Sequence, residues 1–117
     1  MSVFIIAEAG VNHNGDIQQA LALIDAAVEA GADAVKFQTF KADALVSKTA
    51  KQAEYQTQNT GQEQSQYALL KALELSESEH QKIVDYCQQK GVEFMSTAFD
   101  DDSIELLKNL AMQRWKI

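Results

Sequence analysis

Apolar and polar positions along this chain switch repeatedly between two periods. Val3 to Ala7 form an apolar run, followed directly by Glu8-Ala9-Gly10-Val11-Asn12-His13-Asn14-Gly15, an acid and a polar, glycine-bounded turn. The run predicts a strand that ends near Glu8. Ile17, Ala20, Leu21, Ile24, Ala27 and Val28 then recur at helical spacing, with Asp16 as the N-cap and Gly31 closing the far end. From Asp33 to Phe40 the period becomes two, so that Val35 and Phe37 point to one side and Lys36 and Gln38 to the other. This second strand has an apolar face and a polar face.

Residues 41 to about 61 carry no clean periodicity and read as a long excursion with a helical turn, the kind of loop that is often functional. A helix is predicted around Gln64 to Leu73. Ser76-Glu77-Ser78-Glu79 matches a capping box, and the helix it opens runs to Lys90, with Gly91 as terminator and His80 as a surface residue. Val92 to Ala98 reads as a third strand. Asp100 to Asp102 are N-terminal acids of another helix, which turns Ile104, Leu107 and Leu110 inward, and Met112 to Ile117 begins a fourth strand.

A repeated strand-then-helix unit favours a parallel sheet with right-handed crossovers. Doubly wound sheets and (β/α)8 barrels both begin this way. A barrel takes about 250 residues, so this chain would hold its first half, and an end inside an apparent strand reads as a truncation. Such folds gather their chemistry at the carboxyl ends of strands, which makes Glu8 a candidate site residue; a solvated acid in a helix-capping loop is the plain alternative.

Composition narrows the possibilities. The 117 residues are 46% hydrophobic, which suits one domain with a real core. No stretch approaches the roughly 18 consecutive apolar residues of a membrane span, and the amino terminus lacks a signal-peptide pattern, so a cytoplasmic protein without a membrane partner is expected. Cys87, the only cysteine, excludes an internal disulfide and reads as a small buried filler. A net charge of -7 argues against nucleic acid, and an anionic small molecule would need lysines placed locally in a cleft. His13 has no second ligand at a metal-binding spacing, so no metal ligand is assigned; Asn12 and Asn14 are expected to hold their loop by side-chain-to-backbone bonds.

The segments Ile5-Ile6-Ala7-Glu8-Ala9-Gly10-Val11-Asn12-His13-Asn14-Gly15, Gly31-Ala32-Asp33-Ala34-Val35-Lys36-Phe37-Gln38-Thr39-Phe40, Phe94-Met95-Ser96-Thr97-Ala98-Phe99-Asp100 and Arg114-Trp115-Lys116-Ile117 resemble the amino-terminal half of the sialic acid synthase family. That family makes N-acetylneuraminate, legionaminate and related nonulosonates. Ala53-Glu54-Tyr55-Gln56 and Leu73-Glu74-Leu75-Ser76 look closest to its legionaminate branch. The resemblance implies an α/β fold, with residues 1–117 forming the N-terminal half of a (β/α)8 TIM barrel and the remaining barrel and a C-terminal antifreeze-protein-like domain absent. It also implies a homodimer when full length.

The implied reaction condenses phosphoenolpyruvate, through its C3, with the aldehyde carbon of an open-chain N-acyl amino sugar, either N-acetylmannosamine or a diacetamido-trideoxyhexose. A divalent metal, Mn2+ or Mg2+, polarises the aldehyde oxygen from ligands outside this chain, and water attacks C2 before phosphate leaves. Carried over residue by residue, the resemblance makes Lys36 and Lys116 cations for phosphoenolpyruvate, Thr97 a hydroxyl donor to its phosphate and Gln38 a group reaching the same cavity. Asn59 falls where the family places a sugar-contacting asparagine. Glu8 and Lys36 are the catalytic pair it implies, with Glu8 either handling the protons of water and sugar hydroxyls or orienting Lys36 through an ion pair.

Two features depart from the family pattern. Ala98 stands where relatives carry proline after the Ser-Thr pair, and the chain ends before the family's Pro-Ser-Gly-Glu continuation, so the 117-residue chain alone should not catalyse. Two other readings stay open: another phosphoenolpyruvate-dependent barrel synthase of the aldol type, and a non-catalytic half-barrel binding or assembly module.

Overall fold

A computed structural model describes residues 3–45 and 66–116 of the chain. The elements, in order, are β1 (Ile6–Gly10), α1 (Ile17–Glu29), β2 (Ala34–Thr39), α2 (Ala42–Leu45), α3 (Gln66–Leu73), α4 (Glu77–Lys90), β3 (Glu93–Ala98) and α5 (Asp101–Asn109). The three strands form one parallel sheet in the order β1-β2-β3, so the strand-then-helix alternation of the sequence is realised as successive parallel units.

Local chemistry sets the element ends. Asp16 caps α1 by accepting from the Gln18 amide at 2.8 Å. Ser76 and Glu79 close a reciprocal capping box on α4, whose far end passes into the left-handed Gly91 (φ 75°). Asp100 caps α5 through the Ser103 amide at 2.8 Å. Its other carboxylate oxygen accepts from the Lys41 amide at 2.8 Å and ties the loop after β3 to the loop after β2.

The core lies between one face of the sheet and helices α1, α4 and α5. Val35, Phe37 and Phe94 from the strands meet Ile24 of α1, Ile83 and Cys87 of α4, and Leu107 of α5. A fully buried side chain of this size contributes about 1.5–3 kcal/mol, so this layer carries the fold. The alternation that buries Val35 and Phe37 leaves Glu8, Lys36, Gln38 and Thr97 on the opposite face, as period two requires.

Five sequence expectations are corrected. The first strand is Ile6–Gly10, not the apolar run ending at Ala7, so Glu8 lies within the ladder. The Asp33 carboxylate takes the Ile5 amide at 2.7 Å just before the ladder begins, and the Ile5 carbonyl accepts from the amides of Asp33 and Ala34, the second of which opens the pairing at Ile6. His80 is buried, not on the surface, and Ile104 is exposed while Ser103, Leu106 and Leu107 of α5 turn inward. The loop of Asn12 and Asn14 is held by backbone turns and by His13, whose Nδ1 accepts from the Gly15 amide at 2.8 Å; among the described residues, the Asn14 side chain donates to the Gln19 side chain.

Residues 112–116 form no fourth strand, and Ile117 lies outside the described residues. Ala111 takes a positive φ of 58°, and the Met112 sulfur accepts from the Ser96 amide at 3.2 Å, filling the position of a ladder acceptor on the free edge of β3. Arg114 then turns to Glu93 at 3.1 Å and stacks over the Phe4 ring. Among the described residues, no helix is long and apolar enough to cross a membrane.

Candidate active site

The polar face of the sheet brings four of the six sequence-derived candidates together. Parallel pairing sets Glu8 opposite Lys36, and Gln38 opposite Thr97. Partners across a ladder share a face and a height, so the two pairs form successive rungs toward the carboxyl ends of the strands. Lys36 Nζ lies 2.8 Å from Glu8 Oε2, with the lysine largely covered and the glutamate half exposed.

Gly10 makes room between the rungs. It sits at the irregularity where β1 shifts register against β2, and a Cβ built on it would lie 3.4 Å from Glu8 Oε1 and 3.8 Å from Gln38 Nε2. Its φ of 54° is in the left-handed region, which favours glycine. Bare backbone therefore separates the carboxylate from the amide, at a position that the sequence marks only as part of a turn.

Lys116 stands apart. It is exposed, follows β3 in a segment without strand pairing, and makes no ion pair among the described residues. Asn59 lies outside the described residues.

Chemically, the rungs offer one fixed cation, an acid held against it, an amide and a hydroxyl. A cation with neutral donors suits an anionic ligand, and a carboxylate 2.8 Å from an ammonium can orient it or exchange a proton with a bound group. As for the divalent metal, no three His, Cys, Asp or Glu side chains gather into a holding set among the described residues. The donors present among the described residues do not fit that ion. Cys87 is buried, and burial pushes its thiol up to about 12, so it supplies no nucleophile.

Behind this face lies a group that sequence reading missed. Thr39, Ser96 and His80, all buried, are linked by hydrogen bonds on the helix side of the sheet. His80 was detectable: with Ile83, Val84 and Cys87 it completes an i, i+3, i+4, i+7 stripe, all of it buried.

Comparison with known proteins agrees with this architecture. A model of the NeuB family matches residues 23–117. An N,N'-diacetyllegionaminic acid synthase of Legionella pneumophila is 58% identical over all 117 residues, which cover 33% of that protein. An N-acetylneuraminate-9-phosphate synthase of Mus musculus is 31% identical over 115 residues, 97% of this chain and 32% of that one. The crystal structure of an N-acetylneuraminic acid synthetase from Leptospira borgpetersenii superposes with a TM-score of 0.78 at 32% identity, covering 100% of this chain and 36% of the other. The chain thus spans about a third of the length of the curated relatives it matches, and its three parallel strands with flanking helices have the fold of part of a sialic acid synthase barrel. With 95 of its 117 residues matched by the family model and its whole length aligned to a legionaminic acid synthase, the chain belongs to the NeuB family.

Proposed function

We propose that this chain forms the phosphoenolpyruvate-binding part of a nonulosonic acid synthase that condenses phosphoenolpyruvate with an N-acyl amino sugar, preferentially a diacetamido-trideoxyhexose. The observation that carries the reading is the Glu8–Lys36 ion pair one rung below the Gln38–Thr97 pair. Phosphoenolpyruvate brings a phosphate and a carboxylate, which call for a fixed cation and convergent neutral donors. Lys36 is the cation; Gln38 and Thr97 are the donors. The preference for the diacetamido sugar rests on the higher identity to the legionaminic acid synthase, 58% against 31% for the N-acetylneuraminate-9-phosphate synthase.

In the proposed reaction C3 of phosphoenolpyruvate bonds to the aldehyde carbon of the sugar, water supplies an oxygen to C2, and inorganic phosphate leaves. Glu8 orients Lys36 and carries the proton that water gives up. A clean test grafts residues 1–117 in place of the matching segment of the Legionella synthase and follows phosphate release. Release that needs both substrates and is abolished by Lys36→Ala is the expected result. A folded graft that releases no phosphate overturns the proposal. Release only with a sugar phosphate as acceptor would favour another phosphoenolpyruvate-dependent barrel synthase.

A further inference from the structure

A continuous line of buried polar groups runs behind the Gln38–Thr97 rung. Ser96 Oγ lies 2.6 Å from Thr39 Oγ1, Thr39 Oγ1 lies 2.9 Å from His80 Nε2, and His80 Nδ1 lies 2.8 Å from the carbonyl oxygen of Ser76. The three side chains are at most 2% exposed. A carbonyl only accepts, so Nδ1 carries the hydrogen and Nε2 of the neutral ring accepts. Thr39 therefore donates to His80, and Ser96 donates to Thr39. The line has one direction, from β3 through β2 to the N-cap of α4.

Burial lowers the pKa of His80 from its ordinary value and keeps the neutral ring that this order requires. Lys41 acts in the same sense, while the Ser76 carbonyl, Glu79 and Glu77 oppose it.

Such a network is costly if incomplete and fixes one arrangement when complete. Valine would fill the space of Thr39 without it. The positions of its members give it a purpose. Thr39 directly follows Gln38, Ser96 directly precedes Thr97, and Gln38 and Thr97 are ladder partners. The Thr39–Ser96 bond is diagonal, since Thr39 pairs with Ala98 and Ser96 with Phe37, so sliding β3 along β2 would break it. Lys36 is held independently, by Glu8 on the opposite face.

We propose that Thr39, Ser96 and His80 are positioning residues, a buried hydroxyl-imidazole clamp that sets the height and tilt at which Gln38 and Thr97 meet an anionic substrate. The clamp is a property of the chain itself; its link to phosphoenolpyruvate rests on the function proposed above.

The 117-residue chain provides the test. Thr39→Val removes the hydroxyl at constant shape, and Thr39→Ser keeps it at smaller volume. In NMR spectra, Thr39→Val should move the Gln38 side-chain amide and the Thr97 backbone amide while leaving Glu8 and Lys36 in place, and Thr39→Ser should restore the wild-type positions. In calorimetric titration with phosphoenolpyruvate, Thr39→Val should weaken Kd by about tenfold and Thr39→Ser by less than about twofold, as for loss and retention of one buried hydrogen bond. Unmoved Gln38 and Thr97 signals, equal movement at Lys36, or a serine variant that behaves like valine would each overturn the clamp. Should Thr39→Val not fold, Ser96→Ala, which leaves the Thr39–His80 bond intact, carries the same readouts. If the amides respond as stated and the wild-type chain gives no heat with phosphoenolpyruvate, the positioning stands and the substrate reading fails.

Discussion

Glu8 and Lys36 are ladder partners on adjacent parallel strands, and their side chains meet at 2.8 Å on the face turned away from the helices. The pairing register alone brings them side by side, because ladder partners share a face. Their exposures differ: the Lys36 side chain is 17% exposed and that of Glu8 52%. The acid is open to solvent and to any bound ligand, while the base is largely covered by its surroundings.

Removing the acid's charge should therefore separate activity from stability. A pair with one half-exposed partner is screened by solvent and is worth about 1 kcal/mol or less. Glu8→Gln should shift the urea midpoint of the chain within that margin. In the Legionella graft the same change should lower turnover about 100-fold or more, the scale of a lost proton-transfer group. Wild-type turnover in the variant would remove Glu8 from the chemistry.

Two left-handed glycines give a controlled comparison. At Gly15 (φ 76°) an added Cβ would lie 2.0 Å from the Ala72 carbonyl oxygen, whereas at Gly91 (φ 75°) it would meet nothing within 4 Å. The conformational penalty is shared, about 1–2 kcal/mol; the steric one is not. Gly91→Ala should cost about that amount in urea unfolding, and Gly15→Ala about 3 kcal/mol or more, because the loop must pull away from α3. Equal costs would mean that the contact between this loop and α3 does not form.

Stability should also fall in mild acid. His13 and His80 are both buried, and burial lowers the pKa of each from its usual value of 6.5. Below pH 6.5 the unfolded chain takes up protons that the folded chain refuses, so unfolding becomes easier as pH drops toward the folded-state values. Each histidine adds at most about 1.4 kcal/mol per pH unit in that window. Above about pH 8 neither contributes a slope. His80→Gln should flatten the curve between pH 6.5 and 5, measured by urea unfolding at fixed ionic strength; an unchanged slope would show that His80 charges freely in the folded chain.

Much of this arrangement was legible in the sequence where the signal is local. The Ser76–Glu79 box and the Asp16 cap follow from hydrogen bonds a few residues apart, and the two faces of β2 follow from alternation. What was missed depends on distant partners. The start of β1 is set by Asp33, 28 residues away from the amide it binds. Ile104 was expected inward because it is apolar, yet Ser103, Leu106 and Leu107 occupy the inward stripe. His80 is a polar residue, yet its spacing from Ile83 and Cys87 marks the buried side of α4. Lys116 was assigned to a strand that does not form against β3 among the described residues.

Cys87 offers a probe of how tightly the layer of α4 against β3 is closed. It is 1% exposed, and burial pushes its thiol up to about 12, although it borders a cavity of about 300 Å3 also lined by Gly91, Val92, Leu110 and Met112. At pH 8 a thiol of that pKa is ionised to about one part in ten thousand, roughly a thousandth of the fraction in an unfolded chain. Ellman's reagent should therefore leave the native chain almost unlabelled, with a rate about 1000-fold below that in 8 M urea, and the rate should climb with urea in parallel with the unfolding transition. Fast labelling without denaturant would mean that the cavity opens onto the sulfur and that α4 does not seal the sheet at this point.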